Sequence, residues 1–151
     1  MIIIKQSLIP KADLGVFAKT DIPKGAYLGE YLGKRYLLGE FEWVLAKKRV
    51  NDVYSFNSFS GPDDYVYDAR DLDQSNWTRY MNCSFSLDSE NVIYKDTDGK
   101  IKFYARRNIK AGEELTFTTV KVMPKFYKLN IGHHIIKGVD SGPVKCVATH
   151  I

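Results

Sequence analysis

Cysteine is scarce in this sequence of 151 residues, and long apolar runs are missing. With only Cys83 and Cys146, at most one disulfide is possible, which excludes the multi-disulfide framework of small secreted domains. We expect both thiols to be free. Apolar runs such as residues 1–4 and 135–136 are far shorter than the ~20 residues that cross a bilayer. No signal-peptide pattern is recognisable. The sequence therefore predicts an intracellular protein, cytoplasmic or nuclear, with no membrane association.

A strong excess of one charge is also missing. The sequence has 22 basic and 18 acidic residues, which gives a net charge of +4 at pH 7. Such a mild and mixed balance does not require a nucleic-acid partner. Two short basic clusters, residues 47–49 and 106–107, keep a small nucleic-acid-binding domain as a third hypothesis. An ordinary solvated surface explains both clusters more simply.

The composition that is present is that of a folded domain. Hydrophobic residues make up 44% of the chain and charged residues 26%, both close to ordinary globular values. A length of 151 residues is typical of one domain and is enough to bury a core. Aromatic residues reach 13%, and several recur at intervals of two, which is typical of strands. We find no repeat or linker that marks an internal boundary.

The local patterns predict a mostly β fold with one short helix. Brief β-rich runs bounded by turn residues lie at 15–18, 26–32, 55–59, 65–67, 92–94, 102–104 and 114–117. A helix is predicted from about Leu38 to Val50, because Phe41, Val44 and Leu45 recur at helical spacing. Asp98 and Gly99 between two β-rich runs predict a hairpin, since both tolerate positive φ.

Two clusters of potential ligands are weak candidates. His133, His134 and Cys146 suggest zinc, but a structural site needs four well-spaced ligands. Asp63, Asp64 and Asp68 suggest a carboxylate cluster, but nothing in the sequence raises a pKa there, and solvated loop residues explain them better. We therefore predict no metal site.

Four segments carry a more specific pattern, in one order and at fixed spacings. The first spans residues 7–18 with 22–25 and 29–33, and the second spans 65–69 with 75–83. The third, at 99–109, ends the predicted hairpin, and the fourth is the Ala-Gly-Glu-Glu-Leu-Thr-Phe run at 111–117. Together they resemble the SET-domain protein lysine methyltransferases, most closely the PR-type branch, over about three quarters of the chain.

The resemblance implies a fold, a domain division and an activity. The fold is a SET-type arrangement of several small curved sheets, with a C-terminal pseudoknot and one short helix. The SET domain would span residues 1–121, and residues 122–151 would form a C-terminal extension packed on or beside it. The activity is transfer of a methyl group from S-adenosylmethionine to a lysine of a protein or peptide.

The family's cofactor contacts carry over to two stretches of this sequence. Leu14, Gly15 and Phe17 match the loop whose backbone lies along the cofactor, where a glycine permits close approach. The other matching motif contributes four residues, which are Arg79, Tyr80, Asn82 and Cys83.

Two positions in these stretches separate this chain from most of the family. Cysteine after Asn82 is typical of the PR-type branch, where most of the family has histidine, and no base lies adjacent to make Cys83 a nucleophile. Asp13 stands where the family usually has a second glycine, two residues before Gly15, and this departure bears on cofactor affinity.

The family's channel tyrosine is missing from its usual place. Thr119 stands there, and its hydroxyl reaches several ångströms less far than a phenol. Tyr127 and Tyr31 are the alternative sources of a phenol, while Phe117 and Tyr67 are expected to line the substrate channel. Two hypotheses therefore stay open. The chain is a lysine methyltransferase, or it is a catalytically weak or inactive SET-like module that binds a peptide or protein partner.

Overall fold

The computed structural model describes residues 1–48, 52–84 and 89–118. Over these ranges the chain forms four small sheets, one α-helix and two 3-10 helices. The strands are β1 Ile2–Gln6, β2 Leu14–Ala18, β3 Tyr27–Glu30, β4 Lys34–Leu37, β5 Ser55–Ser58, β6 Tyr65–Asp68, β7 Asn82–Cys83, β8 Val92–Thr97, β9 Lys100–Ala105 and β10 Thr116–Phe117. The helix α1 is Leu38–Lys48, and the 3-10 helices are Leu72–Gln74 and Trp77–Tyr80. The predicted mostly β class is confirmed.

Each sheet is small, and the pairing is antiparallel except in one place. β1 pairs with β2, and two three-stranded sheets have the orders β3-β9-β8 and β4-β6-β5. The two-residue strands β7 and β10 pair in parallel, with Thr116 opposite Asn82 and Phe117 opposite Cys83. Strands β1 and β4 were missed by the sequence reading, since both are exposed edge strands with little alternation.

The helix α1 lies over the sheet that contains β4. It begins at the predicted residue, and its Glu40 carboxylate accepts a hydrogen bond from the Leu37 amide at 2.9 Å. Acidic Glu40 in the first turn and basic Lys47 in the last complement the helix dipole. Phe41 is buried and its ring lies 5.4 Å from that of Tyr36. The predicted apolar face is therefore the buried one, and the predicted end at Val50 lies outside the described residues.

The core is built around a cluster of aromatic rings. Phe56 is central to it, with ring-centroid distances of 5.2 Å to Tyr31, 4.9 Å to Tyr94 and 5.7 Å to Phe117. Phe103 on β9 lies 5.2 Å from Phe117. Offset and edge-on pairs at these distances add to the free energy gained by burial. The cluster therefore holds β5, β8, β9 and β10 together although they belong to three sheets.

The chain between residues 112 and 118 lies between two other elements. On one side the Leu115 amide donates to the Val16 carbonyl at 2.7 Å, and the Ala18 amide donates to Glu113 at 2.9 Å. On the other side the Ser84 amide donates to the Phe117 carbonyl at 2.7 Å. This is the described part of the crossing that the pseudoknot prediction requires. Its continuation and the predicted extension at 122–151 lie outside the described residues.

The predicted hairpin at Asp98 and Gly99 is confirmed. Both residues have positive φ, at 53° and 75°, as a two-residue type I′ turn demands. The turn is anchored from outside, because the Tyr67 hydroxyl donates to the Gly99 carbonyl and the Gly99 amide donates to the Ser60 hydroxyl at 2.9 Å.

Replacing Gly99 tests this turn. A Cβ at Gly99 lies 3.3 Å from the Tyr65 ring. The turn holds this residue in a left-handed conformation, which costs an alanine about 1–2 kcal/mol. We expect Gly99→Ala to lower the free energy of unfolding by about this amount in urea titrations. Gly39→Ala in α1 is the control, since nothing lies within 4 Å of its Cβ, and it should raise stability by up to about 1 kcal/mol. Equal effects of the two variants contradict the turn assignment.

Candidate functional site

The loop between β1 and β2, residues 7–13, is tied to a carboxylate that lies far away in the sequence. Glu114 accepts a hydrogen bond from the Ser7 hydroxyl at 2.6 Å and another from the Leu8 amide at 3.0 Å. The loop is also closed on itself, because the Ser7 amide donates to the Asp13 carbonyl at 3.0 Å. Glu114 therefore fixes the start of this loop against β2 and β10.

Glycine leaves room for this carboxylate where β2 passes it. A Cβ built on Gly15 lies 2.2 Å from Glu114 Oε1 and 3.2 Å from the Ser7 Cβ. Real Cβ atoms do not approach an oxygen so closely, so any larger residue must displace the Glu114 side chain. The predicted close approach at Gly15 is therefore made by a side chain of the protein itself.

Asn82 on β7 belongs to the same network. Its side chain is fully buried, and Nδ2 donates to the Leu14 carbonyl at 3.0 Å and to Glu114 Oε1 at 3.2 Å. Asn82 Oδ1 is also buried, and among the described residues it has no hydrogen-bond partner. Buried acceptors without a partner are uncommon in native proteins. Asn82 therefore keeps an unused acceptor beside the first residue of β2.

A cavity of about 310 Å³ lies beside this network, and we call it the loop cavity. Its described walls combine the loop, the strands β7 and β10, and residues that flank them. Glu114 is the only charged residue among them. The described lining residues are Leu8, Ile9, Cys83, Ser84, Ser89, Glu114 and Thr116.

The segment that leads into β7 is shaped by a capped 3-10 helix. Asn76 is its N-cap, since Asn76 Oδ1 accepts hydrogen bonds from the Thr78 amide at 3.1 Å and the Thr78 hydroxyl at 2.5 Å. The Arg79 side chain then turns back, donating to the Ala69 carbonyl at 2.8 Å. Its guanidinium lies 4.3 Å from the centre of the Tyr54 ring.

A second, much smaller cavity lies on the aromatic core, and we call it the aromatic cavity. Its volume is about 20 Å³, room for roughly one water molecule. Arg79 is the only charged residue in its described lining. The described lining residues are Tyr31, Val53, Tyr54, Ser55, Phe56, Thr78, Arg79, Met81 and Phe117.

Tyr31 is buried in the wall of the aromatic cavity. Its hydroxyl donates to the Tyr54 carbonyl at 2.5 Å. Burial raises the pKa of Tyr31 well above its ordinary value, and the negative charge of Asp68 raises it further. The phenol is therefore neutral at physiological pH and is already engaged as a donor.

The two cavities border the same pair of short strands. Thr116 and Cys83 line the loop cavity, while Phe117, the neighbour of Thr116 on β10, lines the aromatic cavity. Met81, which directly precedes β7, also lines the aromatic cavity. The β7–β10 pair thus contributes to both cavities, one with a mostly apolar wall that carries a carboxylate and one with an aromatic wall that carries a guanidinium.

The candidate cofactor residues from the sequence divide between several places. Leu14 and Gly15 contact the network of Glu114, as described above. Phe17 is buried beside β1, with Lys5 Nζ 4.4 Å from its ring centre, and lines neither cavity in the described part. Arg79 lines the aromatic cavity rather than the loop cavity, and Tyr80 packs against the Arg79 guanidinium at 4.7 Å.

The candidate channel and catalytic residues divide in the same way. Phe117 and Tyr31 line the aromatic cavity. Tyr67 binds the hairpin turn through its hydroxyl and is not among the described lining residues of either cavity. Thr119 and Tyr127 lie outside the described residues.

The expectation of free thiols is wrong at Cys83, which is disulfide-bonded. Cys146 lies outside the described residues. Cys83 is one of the residues that line the loop cavity, and because its sulfur is in a disulfide it is not a nucleophilic thiolate.

Sequence reasoning missed residues on both cavities. Glu114 lies in the fourth segment of the resemblance, residues 111–117, but the motif assigned no role to its carboxylate. Leu8 and Ile9 belong to the first segment of the resemblance, residues 7–18, in which only Leu14, Gly15 and Phe17 were assigned a role, so the signal was present but incomplete. Tyr54 carried no motif signal, because its position depends on the packing of β5 against Tyr31.

Comparison with known proteins decides the family. A model of the SET domain matches residues 13–118 of the chain. The chain belongs to the SET domain family. The matched range contains β2 to β10 and includes Asn82 and Glu114, so the loop cavity lies within the SET domain except for Leu8 and Ile9.

Relatives of this SET domain include histone-lysine N-methyltransferases. It is 32% identical over 115 residues to histone-lysine N-methyltransferase set-17 of Caenorhabditis elegans, covering 74% of this chain and 38% of that protein. It is 32% identical over 114 residues to histone-lysine N-methyltransferase PRDM7 of Homo sapiens, covering 74% of this chain and 22% of that protein. The chain therefore corresponds to well under half the length of either relative.

Solved structures share the fold of this SET domain. Chaetomium thermophilum Polycomb Repressive Complex 2, in an autoinhibited conformation bound to S-adenosylmethionine, matches with a TM-score of 0.65 and 25% identity over 88% of this chain and 17% of that chain. The methyltransferase domain of human PR domain-containing protein 2 matches with a TM-score of 0.63 and 24% identity over 82% of this chain and 80% of that chain. The SET-type fold predicted from the resemblance is confirmed.

Within the ranges 1–48, 52–84 and 89–118, no group of three histidine, cysteine or acidic residues is arranged to hold a metal ion. Histidines 133 and 134 and Cys146 lie outside these ranges. In the same ranges no helix is long and apolar enough to cross a membrane.

Two buried asparagines test the network. Asn82→Ala removes two hydrogen bonds to buried or half-buried acceptors, and we expect the free energy of unfolding to fall by about 1–3 kcal/mol. Asn57 is the control, since it is 5% exposed and both polar atoms of its side chain lack partners among the described residues. Removing an unpaired buried amide should leave stability unchanged or raise it. Thermal unfolding of both variants measures this, and a larger loss for Asn57→Ala contradicts the network.

Proposed function

We propose that this SET domain binds S-adenosylmethionine in the loop cavity and transfers its methyl group to a lysine of a protein or peptide. One observation carries the proposal: a cavity with an acidic wall and a cavity with aromatic walls border the same β7–β10 pair. Methyl transfer requires a donor and an acceptor brought together from separate sites. Membership of the SET family supports both assignments.

The loop cavity fits this cofactor on its own chemistry. Its volume of about 310 Å³ falls within the range of roughly 300–1,000 Å³ usual for small-molecule sites. Asn82 is not among the described lining residues, but it binds Glu114 in the cavity wall, and its buried Oδ1 is an acceptor without a described partner. The cofactor carries ammonium, hydroxyl and amino donors that such an acceptor can bind. Leu8 and Ile9 supply apolar surface. Asn82, Cys83 and Glu114 are thus the residues that would hold the cofactor.

When bound, the cofactor supplies a sulfonium methyl, which passes to the lysine nitrogen as the N–C bond forms and the C–S bond breaks, leaving the electron pair on sulfur. The protein has to present a neutral amine and exclude water. The aromatic walls of the second cavity leave room for roughly one water molecule and so desolvate an amine, and the Arg79 guanidinium disfavours a second positive charge beside it. Both effects lower the pKa of a lysine amine placed there.

The runner-up function is a SET-like module that binds a partner without efficient transfer. The small size of the aromatic cavity favours it, because about 20 Å³ does not admit a lysine side chain unless the walls move. The Tyr31 hydroxyl is already occupied by the Tyr54 carbonyl. In addition, Thr119 replaces the family's tyrosine in the sequence.

Location and partners follow from the same proposal. The relatives are named as histone-lysine methyltransferases, which supports an intracellular location, cytoplasmic or nuclear, and a protein substrate. We propose no role for nucleic acid. Disulfides are uncommon in those compartments, and Cys83 lines the loop cavity, so binding has to be compared with and without a reducing agent.

Cofactor binding is the first test. We expect the purified protein to bind S-adenosylmethionine in calorimetry, and Asn82→Ala to lose that binding, since its buried acceptor and its contact to Glu114 both disappear. Asn57→Ala is the matched control and should bind normally. No heat at about 1 mM ligand, in either redox state, contradicts the proposal, because 1 mM affinity corresponds to only about −4 kcal/mol.

Methyl transfer is the second test, with labelled cofactor and a panel of lysine peptides. We expect Thr119→Tyr to raise the rate tenfold or more, since a positioned donor is worth about 2.7–4 kcal/mol of barrier. Tyr27→Phe is the control, because Tyr27 is an exposed residue outside the described linings of both cavities.

Two other outcomes of this assay separate the hypotheses. Robust transfer by the unmodified protein that is lost in Tyr31→Phe or Tyr127→Phe, with no gain from Thr119→Tyr, assigns the role to another tyrosine. Cofactor binding without transfer by any variant favours the partner-binding module.

A further inference from the structure

The charge on the wall of the loop cavity comes from a single described residue. Glu114 contributes a carboxylate, while the other described lining residues are uncharged. A carboxylate on a mostly apolar wall acts through a lower effective dielectric than one in water, so its field reaches across the cavity. Glu114 is therefore the one charged group that a ligand meets in the described wall.

The negative charge of Glu114 is held in place but not cancelled. Its partners are the Ser7 hydroxyl, the Leu8 amide and Asn82 Nδ2, which are all neutral donors. Among the described residues the ion pairs involve other carboxylates, those of Asp68, Glu90 and Glu113. Three hydrogen bonds thus orient the carboxylate and leave its charge available to a cation.

Gly15 on β2 has no side chain that would collide with this carboxylate. Any Cβ at Gly15 lies 2.2 Å from Glu114 Oε1, so the glycine keeps Glu114 at the cavity wall. The neighbouring Glu113 differs in this respect, because it pairs with the exposed guanidinium of Arg107 at 3.1 Å and is absent from the described lining. The charge of Glu113 is therefore neutralised by Arg107 away from the cavity, whereas the adjacent Glu114 lies in the cavity wall and is in none of the ion pairs among the described residues.

We propose that Glu114 makes the loop cavity selective for the positively charged methyl donor over its neutral demethylated product. This proposal rests on the proposed function. S-adenosylmethionine carries a sulfonium and an ammonium against one carboxylate, a net charge of +1, whereas S-adenosylhomocysteine has a thioether and a net charge of zero. An unneutralised carboxylate stabilises the first ligand more than the second. The same charge therefore favours product release after transfer.

The test compares the affinities of the two ligands by calorimetry. We expect Glu114→Gln to lower the preference for S-adenosylmethionine over S-adenosylhomocysteine about tenfold, equivalent to about 1.4 kcal/mol. Glutamine keeps an oxygen for Ser7 and Asn82 and removes the charge, but its NH2 group cannot accept the hydrogen bond from the Leu8 amide. Glu113→Gln is the matched control, since it removes the same charge one residue earlier, and it should leave the preference unchanged.

Ser7→Ala separates the charge from the anchoring of the loop. It removes one hydrogen bond to Glu114 and keeps the carboxylate, so both affinities should weaken together and their ratio should hold. The unmodified protein supplies an independent measurement. Its preference for the charged ligand should fall as salt rises from about 0.05 M to about 0.5 M, because ions screen the partly exposed carboxylate.

The outcomes distinguish this proposal from the proposed function. If the unmodified protein binds both ligands, and neither Glu114→Gln nor salt changes their ratio, the selectivity role of Glu114 is overturned while the function stands. If Ser7→Ala changes the ratio as much as Glu114→Gln does, loop anchoring and not charge is responsible. If the unmodified protein binds neither ligand, both proposals fail.

Discussion

The segment from Glu113 to Phe117 is the constraint on which the site depends, because it hydrogen-bonds to separate elements on both sides. Its first half pairs with β2 and its second half pairs with β7. The Asn91 side chain binds the middle of the segment, donating to the Glu114 carbonyl and accepting from the Thr116 amide. Both contacts are short, at 2.8 and 3.0 Å, and Asn91 is buried. Glu114 and Phe117 reach their cavities only because the chain passes through this position.

The two cavities have opposite electrostatic characters. Glu114 is the single charged residue in the described lining of one, and Arg79 holds the same place in the other. On the proposed function this division suits the reaction, because the donor is a cation and the acceptor must be a neutral amine. A carboxylate attracts the first, and a guanidinium opposes protonation of the second. Glu114 and Arg79 line different cavities, and none of the ion pairs among the described residues joins them.

The sequence predicted the parts of the fold that depend on residues close together in the chain. The hairpin at Asp98 and Gly99 follows from residues that accept positive φ, and the start of α1 and its buried Phe41 follow from helical spacing. Gly15 and Asn82 were found through their motifs. The edge strand β4 gave no comparable signal, because its residues are mostly exposed and its pairing with β6 is fixed by the rest of the sheet.

The roles of Glu114 and Tyr54 could not be predicted, for a physical reason. Glu114 binds Ser7 and Leu8, which lie 107 and 106 positions earlier in the sequence. Nothing near Glu114 in the sequence distinguishes it from Glu113. Tyr54 lines the aromatic cavity, where its carbonyl accepts a hydrogen bond from the hydroxyl of Tyr31, 23 positions earlier in the sequence. Such contacts belong to tertiary packing, which a single sequence does not display. Motif matching found the strands that carry the site but not the side chain that gives the loop cavity its charge.

The aromatic cavity places function and stability in competition. Its walls include Phe56 and Phe117, whose stacked rings also hold the core together, and Tyr31, whose hydroxyl anchors the chain at Tyr54. Opening it for a lysine side chain therefore means separating groups that stabilise the fold. The loop cavity carries no such cost, because its acidic wall is fixed by hydrogen bonds at its edge and its interior is already open. On the proposed function, lysine access therefore depends on moving groups that stabilise the fold, whereas cofactor binding in the loop cavity does not.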